Sequence, residues 1–137
     1  MYSEGSIEQA QHGVTGIGGF FFKSKNSKEL VSWYAKHLGL KTDAYGSTFW
    51  WKDKEGNDCS TQWSPFAETT DYFEPSEKQF MQNFRVNNLE ELLKQLQADG
   101  VEIVGEPQFF DYGKFAWIID PEGNKIELWQ PNDQAFL

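Results

Sequence analysis

Hydrophobic and polar positions follow one order twice along the chain. In the first block an apolar run predicts a buried strand, and apolar residues at helical spacing follow it. Asn26 or Ser27 offers the helix N-cap, and Gly39 offers its end. Short stretches of strand character complete the block. The predicted elements are a strand at 20–22, a helix carrying Leu30, Trp33, Tyr34, His37 and Leu38, and strands at 48–52 and 59–63.

The second block repeats this order after a polar stretch that contains two prolines. Alternating residues predict a strand, Asn87 or Asn88 offers an N-cap, and four leucines form a helical stripe that ends before Gly100. The predicted elements are a strand at 80–86, a helix with Leu89, Leu92, Leu93 and Leu96, and strands at 101–104, 114–119 and 125–129.

Two short motifs show that the blocks are related. The pattern D-x-E-G-N begins at Asp53 and again at Asp120, and W-x-P begins at Trp63 and again at Trp129. The distance between the two D-x-E-G-N motifs and the distance between the two W-x-P motifs differ by one residue. The repeat is therefore shifted by one residue within the strand that lies between the two motifs. A double match of this kind indicates an internal repeat.

Together with the repeat, two segments resemble the vicinal oxygen chelate superfamily, the glyoxalase, bleomycin-resistance and extradiol-dioxygenase group. They are W-Y-A-K-H-L-G-L at 33–40 and D-P-E-G-N-K-I-E-L at 120–128. The resemblance implies an α+β fold in which two tandem βαβββ modules form a curled mixed sheet around a shared cavity, often in a homodimer. The expected parts are a flexible tail at 1–13, module one at 14–65, a linker at 66–78, module two at 79–131 and a short C-terminal tail.

The resemblance also implies a metal ligand on the first and last strand of each module. The first-strand positions fall on Gly19 and Met81, neither of which suits a hard or borderline cation. The last-strand positions fall on Glu127 and on Ser60 or Thr61. A stable catalytic site needs about three protein ligands, so we predict no metal and no cofactor. His12 and His37 could complete a site only by turning into the cavity.

Charge and composition narrow the classes of partner. With 12 basic against 21 acidic residues the chain carries a net charge of −9, which disfavours nucleic acid and anionic membranes. No apolar run is long enough to span a membrane, and the first residues do not look like a secretory signal. The single cysteine, Cys59, agrees with a reducing compartment. We therefore expect a cytoplasmic protein.

The chemistry of the site then depends on the cavity lining. Strand alternation places Asn83 and Arg85 on the face of Met81. Arg85 is the only arginine of the chain, and Glu127 shares its face. The two either neutralise each other in a structural pair or together bind a polar ligand, and the sequence leaves both readings open.

Aromatic residues make up 17% of the chain, including six tryptophans. Each one alone could belong to the core, but several occupy inward positions that the repeat relates, which suggests a slot for a planar or cationic ligand. The predicted ligand-binding residues are Phe21, Trp50, Trp63, Met81, Asn83, Arg85, Tyr112, Trp117 and Trp129.

Three functions fit these features. The first is a metal-free protein that binds a small aromatic or cationic molecule, similar to the drug-binding branch of the superfamily. The second is a glyoxalase-type lyase or isomerase in which Glu127 is the base and Arg85 with Asn83 holds an enolate-like oxygen. The third is an interaction subunit whose exposed aromatic residues form a dimer interface. The partners expected are a small-molecule ligand and a second copy of the chain.

Overall fold

The computed structural model describes residues 13–136, and all of the predicted tail at 1–13 except Gly13, His12 included, lies outside the described residues. The first half contains five elements: β1 (Val14–Ser24), α1 (Ser27–Leu38), β2 (Thr42–Asp43), β3 (Gly46–Lys52) and β4 (Asp58–Ala67). The second half contains β5 (Phe80–Val86), α2 (Leu89–Ala98), β6 (Glu102–Ile103), β7 (Gln108–Phe110), β8 (Gly113–Ile119) and β9 (Lys125–Pro131). A 3-10 turn, Asp133–Phe136, follows.

All nine strands of the described chain belong to one sheet, in the order β2-β3-β4-β1-β5-β9-β8-β6 with β7 beside β8. The pairs β1–β4 and β5–β9 are parallel, and the other pairs are antiparallel. The two halves meet where β1 runs antiparallel to β5. This is the expected curled, mixed α+β architecture, so the predicted fold class is confirmed.

The helix ends follow the predicted capping chemistry. The side chain of Asn26 accepts a hydrogen bond from the Glu29 amide at 3.1 Å, and Asn88 accepts one from the Glu91 amide at 3.2 Å. Gly39 ends α1 in the left-handed region, with φ of 71°. The cap positions that the sequence left open are therefore Asn26 and Asn88.

The two helices are packed differently. Helix α2 buries Leu89 and Leu92 against Val86 and Leu128 of the sheet, which forms the first hydrophobic cluster. Helix α1 buries none of its residues fully. A second cluster lies on the other side of the sheet and consists of Phe21, Phe73, Met81 and Trp117. No helix within residues 13–136 is long and apolar enough to cross a bilayer.

Strand β4 extends further than the sequence suggests. Pro65 was expected to end the first block, yet β4 continues to Ala67, and Pro65 pairs in parallel register with Phe22. The last register pair between β4 and β3 is Trp63 with Ser47. Pro65 lies beyond that pair, where a missing backbone N–H breaks no ladder with β3. The connection at 68–79 then leads into β5.

Candidate functional site

Four adjacent strands align one residue each across the middle of the sheet. Gly19 of β1 pairs with Gln62 of β4 and with Asn83 of β5, and Asn83 pairs with Glu127 of β9. These four positions lie at one level of the sheet, whereas Met81 pairs with Phe21 and Ser60 pairs with Trp50. The assignment of Met81 and of Ser60 or Thr61 to the ligand positions of the repeat stays a prediction.

Glu127 is the buried centre of this row, with only 3% of its surface exposed. Its Oε1 accepts a hydrogen bond from Asn83 Nδ2 at 2.6 Å. Its Oε2 accepts one from Trp117 Nε1 at 2.9 Å and a short one from the Tyr72 hydroxyl. Burial raises the pKa of Glu127, and the three donors act in the opposite direction because they stabilise the carboxylate.

Tyr72 reaches Glu127 from the connection between β4 and β5. Burial and the nearby carboxylate raise the pKa of its hydroxyl, so Tyr72 is a neutral donor at ordinary pH. Lys125 lies behind this pair, where its ammonium donates to the Tyr72 backbone carbonyl at 2.7 Å. Burial lowers the pKa of Lys125, and Glu127 partly offsets that effect.

The four aligned positions do not fit a divalent metal ion. Gly19 has no donor, and both oxygens of Glu127 already accept hydrogen bonds from protein groups. Asn83 turns its amide nitrogen, which cannot bind a cation, toward that carboxylate. Across residues 13–136, no group of three His, Cys, Asp or Glu side chains is placed to share a metal.

A cavity of about 560 Å³ opens in front of this row. Of the described residues, six aromatic and seven polar side chains line it, and the polar ones come from β2, β3, β4, β5 and β9. The aromatic lining residues are Phe21, Tyr45, Phe66, Tyr112, Phe115 and Trp129. The polar ones include Asp43, Thr48, Gln62, Ser64, Asn83 and Glu127.

Two buried polar atoms of the lining lack a hydrogen-bond partner among the described residues: Nε2 of Gln62 and Oδ1 of Asn83. Gln62 is oriented by Thr48, whose hydroxyl donates to Gln62 Oε1 at 2.8 Å. Asn83 Oδ1 lies beside Gly18, where a Cβ would come within 2.0 Å of it. An unpaired buried polar atom costs about 1–3 kcal/mol, so a ligand that satisfied these atoms would gain affinity.

Arg85 does not pair with Glu127. Its guanidinium makes a bidentate ion pair with Asp133, with Nη1–Oδ1 at 2.9 Å and Nη2–Oδ2 at 2.6 Å, and also donates to the Ser60 carbonyl at 3.0 Å. It lies 5.5 Å from the Trp51 ring and 5.3 Å from the Trp129 ring. Both interpretations left open by the sequence had Arg85 act together with Glu127, and the structure instead gives it Asp133 as its ion-pair partner.

Arg85 lines a second, smaller cavity of about 290 Å³, together with Thr15, Trp51, Cys59 and Asp133. The Trp129 ring separates this cavity from the larger one, because it stacks on Phe115 at 6.0 Å and contacts Arg85 as well. The role predicted for Arg85 in the Glu127 site is therefore not supported by its position.

The structure brings some of the predicted ligand-binding residues together and separates others. Phe21, Asn83, Tyr112 and Trp129 line the larger cavity with Glu127. Trp117 lies beneath them and donates a hydrogen bond to Glu127. Met81 is fully buried in the second hydrophobic cluster. Trp50 is 44% exposed and does not line the cavity.

The sequence predicts that Trp63 faces the cavity, but in the structure it faces the helix side of the sheet. It packs against Tyr34 of α1 with ring centroids 4.5 Å apart, and against Phe22 at 5.5 Å. Because Gln62 points into the cavity, its neighbour Trp63 points to the helix side. Trp129 lies two residues after Glu127 and therefore faces the cavity. The tryptophans of the two W-x-P motifs thus lie on opposite faces of the sheet, which is a shift of one residue between the motifs.

Several lining residues were not predicted. Gln62 and Phe66 could have been found from strand alternation if the register of β4 had been known. Tyr72 and Asp133 lie outside the regular strands, and their sequence context carries no periodic signal that links them to Glu127 or Arg85.

Comparisons with known proteins support the fold. The family model of the Glyoxalase/Bleomycin resistance protein/Dioxygenase superfamily matches residues 22–128. A search of curated proteins finds no significant match.

Among solved structures, methylmalonyl-CoA epimerase from Mycobacterium tuberculosis is similar, with a TM-score of 0.59, 16% identity and coverage of 94% of this chain and 96% of that one. The Streptomyces coelicolor epimerase has a TM-score of 0.63 at 13% identity, covering 88% and 99%. The Mn(II)-bound glyoxalase from Novosphingobium aromaticivorans has a TM-score of 0.56 at 16% identity, covering 88% of this chain and 40% of that one. At these identities the likeness concerns the fold alone.

Proposed function

The chain belongs to the Glyoxalase/Bleomycin resistance protein/Dioxygenase superfamily, and from this premise we propose that it binds a small aromatic or cationic organic molecule without a metal ion. The observation that carries the proposal is the cavity of about 560 Å³ in front of Glu127. Small-molecule sites are typically concave, mostly apolar and about 300–1,000 Å³ in volume. Six aromatic side chains around a few polar groups match that description.

Metal-free binding is supported by the bonding of the side chains. A divalent ion at Glu127 would compete with the hydrogen bonds from Asn83 Nδ2, Trp117 Nε1 and Tyr72, which already occupy three of the carboxylate's about four acceptor sites. Its other ligands would be two amides, which are weak donors beside imidazole or carboxylate. Recognition by hydrogen bonds and aromatic stacking needs no such rearrangement.

The alternative is a lyase or isomerase of the glyoxalase type with Glu127 as general base. One observation favours it: Glu127 is buried in the cavity wall, and burial raises the pKa of its carboxyl group, which is the usual way to make a carboxylate a useful base. The three donors on its oxygens weigh against it, since they reduce its basicity. Arg85 takes no part, because Asp133 holds it elsewhere.

Ligand titration followed by tryptophan fluorescence tests the binding function. Trp129 lines the cavity, so a stacking ligand should change its emission. The variant Trp129→Phe removes that reporter and keeps an aromatic wall, whereas Trp63→Phe alters a tryptophan on the helix side and serves as the matched control. Saturable quenching that survives Trp63→Phe and disappears in Trp129→Phe supports the proposal, while quenching lost only in Trp63→Phe would contradict it.

A further inference from the structure

The charges around the larger cavity are of one sign. Asp43 and Glu127 are among its lining residues, and none of the described lining residues is Lys, Arg or His. Asp43 is the last residue of β2, and its Oδ1 accepts hydrogen bonds from the amides of Tyr45 and Gly46 in the turn to β3. The cavity therefore presents two acidic groups, one in its floor and one near its edge.

Lys125 does not supply the missing positive charge inside the cavity. Its ammonium donates to the Tyr72 carbonyl and lies 5.3 Å from the Tyr72 ring and 5.8 Å from the Trp117 ring. It is behind the floor and is not a lining residue. Arg85, the other buried base, is neutralised by Asp133 on the far side of Trp129.

The walls favour a flat cation as well. Phe115 and Trp129 are stacked with ring centroids 6.0 Å apart and nearly parallel, and Phe21 lies 5.4 Å from Phe66. Aromatic faces carry partial negative charge and attract organic cations, by about 0.5–2 kcal/mol per contact depending on desolvation. An anion would be repelled by these aromatic faces and by the carboxylates of Asp43 and Glu127.

The polar groups in the cavity floor differ on the two sides of Gly19. On one side of Gly19, Gln62 has an unpaired amide nitrogen, which is a hydrogen-bond donor. On the other side, Asn83 has an unpaired amide oxygen, and Glu127 lies one strand further along. Each strand step is about 4.8 Å. Above Gly19 the floor is covered by the edge of the Phe21 ring, which lies 2.8 Å from where a Gly19 Cβ would be, so a ligand that spans from Gln62 to Glu127 also contacts this ring.

From these features we infer that the cavity takes a planar organic monocation that also carries a carbonyl-type acceptor, oriented with its positive nitrogen toward Glu127 and its acceptor toward Gln62. The inference rests on the proposed binding function and narrows its ligand to one class. A neutral ligand of the same shape would lack the electrostatic attraction to the Glu127 carboxylate that a cation gains.

Two probes of the same shape test the charge requirement. The 1-methylnicotinamide cation and 3-methylbenzamide differ only in whether a ring position is N⁺ or carbon, and both carry an amide carbonyl. By calorimetric titration we expect the cation to bind at least about tenfold more tightly, a difference of the size that one or two cation–π contacts and a counter-ion give. Glu127→Gln should reduce this difference to the part that the cation–π contacts give, and Gln62→Leu should weaken both probes by a similar factor.

The control for Glu127→Gln is Glu122→Gln, which removes one acidic residue at an exposed turn and leaves the cavity unchanged. If Glu127→Gln fails to fold, the wild-type protein gives a second readout. As the pH falls and Glu127 gains a proton, the affinity for the cation should fall while that for 3-methylbenzamide stays constant. Tyr72 and Lys125 face the same carboxylate and Asp43 lines the same cavity, so the pH series is repeated in Asp43→Asn.

The outcomes separate this inference from the proposed function. Equal binding of both probes overturns the inference and leaves binding of small organic molecules intact. Tighter binding of 3-methylbenzamide than of the cation also overturns the inference and leaves the binding function intact. Binding of neither probe by the folded protein contradicts both.

Discussion

Asn83 and Glu127 occupy paired register positions on β5 and β9, and the Asn83 amide nitrogen donates to Glu127 Oε1 at 2.6 Å. The same Asn83 amide that donates to the carboxylate of the cavity floor carries the unpaired Oδ1. The contact fixes the amide so that its nitrogen faces Glu127, which suits a hydrogen-bonding site and does not suit a metal ligand.

Replacing Asn83 by Asp should therefore create a buried carboxylate pair. We expect Asn83→Asp to lower the free energy of unfolding at neutral pH by about 3 kcal/mol, the usual scale for an uncompensated buried charge. One of the two carboxyl groups should have a raised pKa in the folded state, so the loss should shrink as the pH falls. Urea denaturation at several pH values measures it. Asn88→Asp, which keeps an N-cap acceptor at α2, should show no such loss.

The wild-type protein should show a smaller effect of the same sign. Burial raises the pKa of Glu127 above its ordinary value of 4.5. A carboxyl group with a raised folded-state pKa stabilises the fold fully below the unfolded pKa and loses that contribution as the pH rises through the folded pKa. Relative to Glu127→Gln, the stability of the wild type should thus fall as the pH increases above 4.5. A wild-type protein that becomes more stable relative to Glu127→Gln as the pH rises would contradict this interpretation.

The ion pair between Arg85 and Asp133 should matter for stability more than an exposed pair does. Their side chains are 6% and 16% exposed, and Asp133→Ala would leave a buried guanidinium without a carboxylate. We expect a loss of about 3 kcal/mol, measured by urea denaturation. Arg85→Met combined with Asp133→Ala should recover part of it.

The matched control is Asp58→Ala, which breaks the exposed Lys52–Asp58 pair at 2.7 Å and should leave stability nearly unchanged. Equal losses from the two alanine variants would show that Arg85 does not depend on Asp133.

Gly18 should be intolerant of any side chain. A Cβ there would lie 2.0 Å from Asn83 Oδ1 and 3.0 Å from the Trp129 ring. Gly18→Ala should push both residues away and weaken ligand binding at least about tenfold, an effect of about 1.4 kcal/mol. Gly39→Asn offers a contrast, because Gly39 has nothing within 4 Å of such an atom and Asn tolerates its positive φ. Normal binding by a folded Gly18→Ala protein would show that this close approach is unimportant.

The order of the elements could be predicted from local periodicity and capping residues, and the fold followed from the family resemblance that the repeat and the segments at 33–40 and 120–128 carry. The site was harder. Trp63 and Gln62 are neighbours, so an error of one residue in the register of β4 exchanges the cavity face for the helix face. The homodimer and the cytoplasmic location stay predictions.

Asp133 shows a second limit of sequence reasoning. It lies in a short turn after the last strand, and nothing in its sequence context relates it to Arg85, which is 48 positions earlier. Tyr72 reaches Glu127 from a connection in the same way. Contacts of this kind depend on the three-dimensional path of irregular segments, which no periodic pattern encodes.

The most direct test of metal-free ligand binding is a calorimetric titration of protein dialysed against a chelator. With the 1-methylnicotinamide cation as ligand, we expect saturable binding of one molecule per chain, with the same affinity after addition of Mn²⁺, Ni²⁺ or Zn²⁺. Binding that is absent in the chelator-treated protein and appears only when one divalent ion per chain is restored would contradict the account.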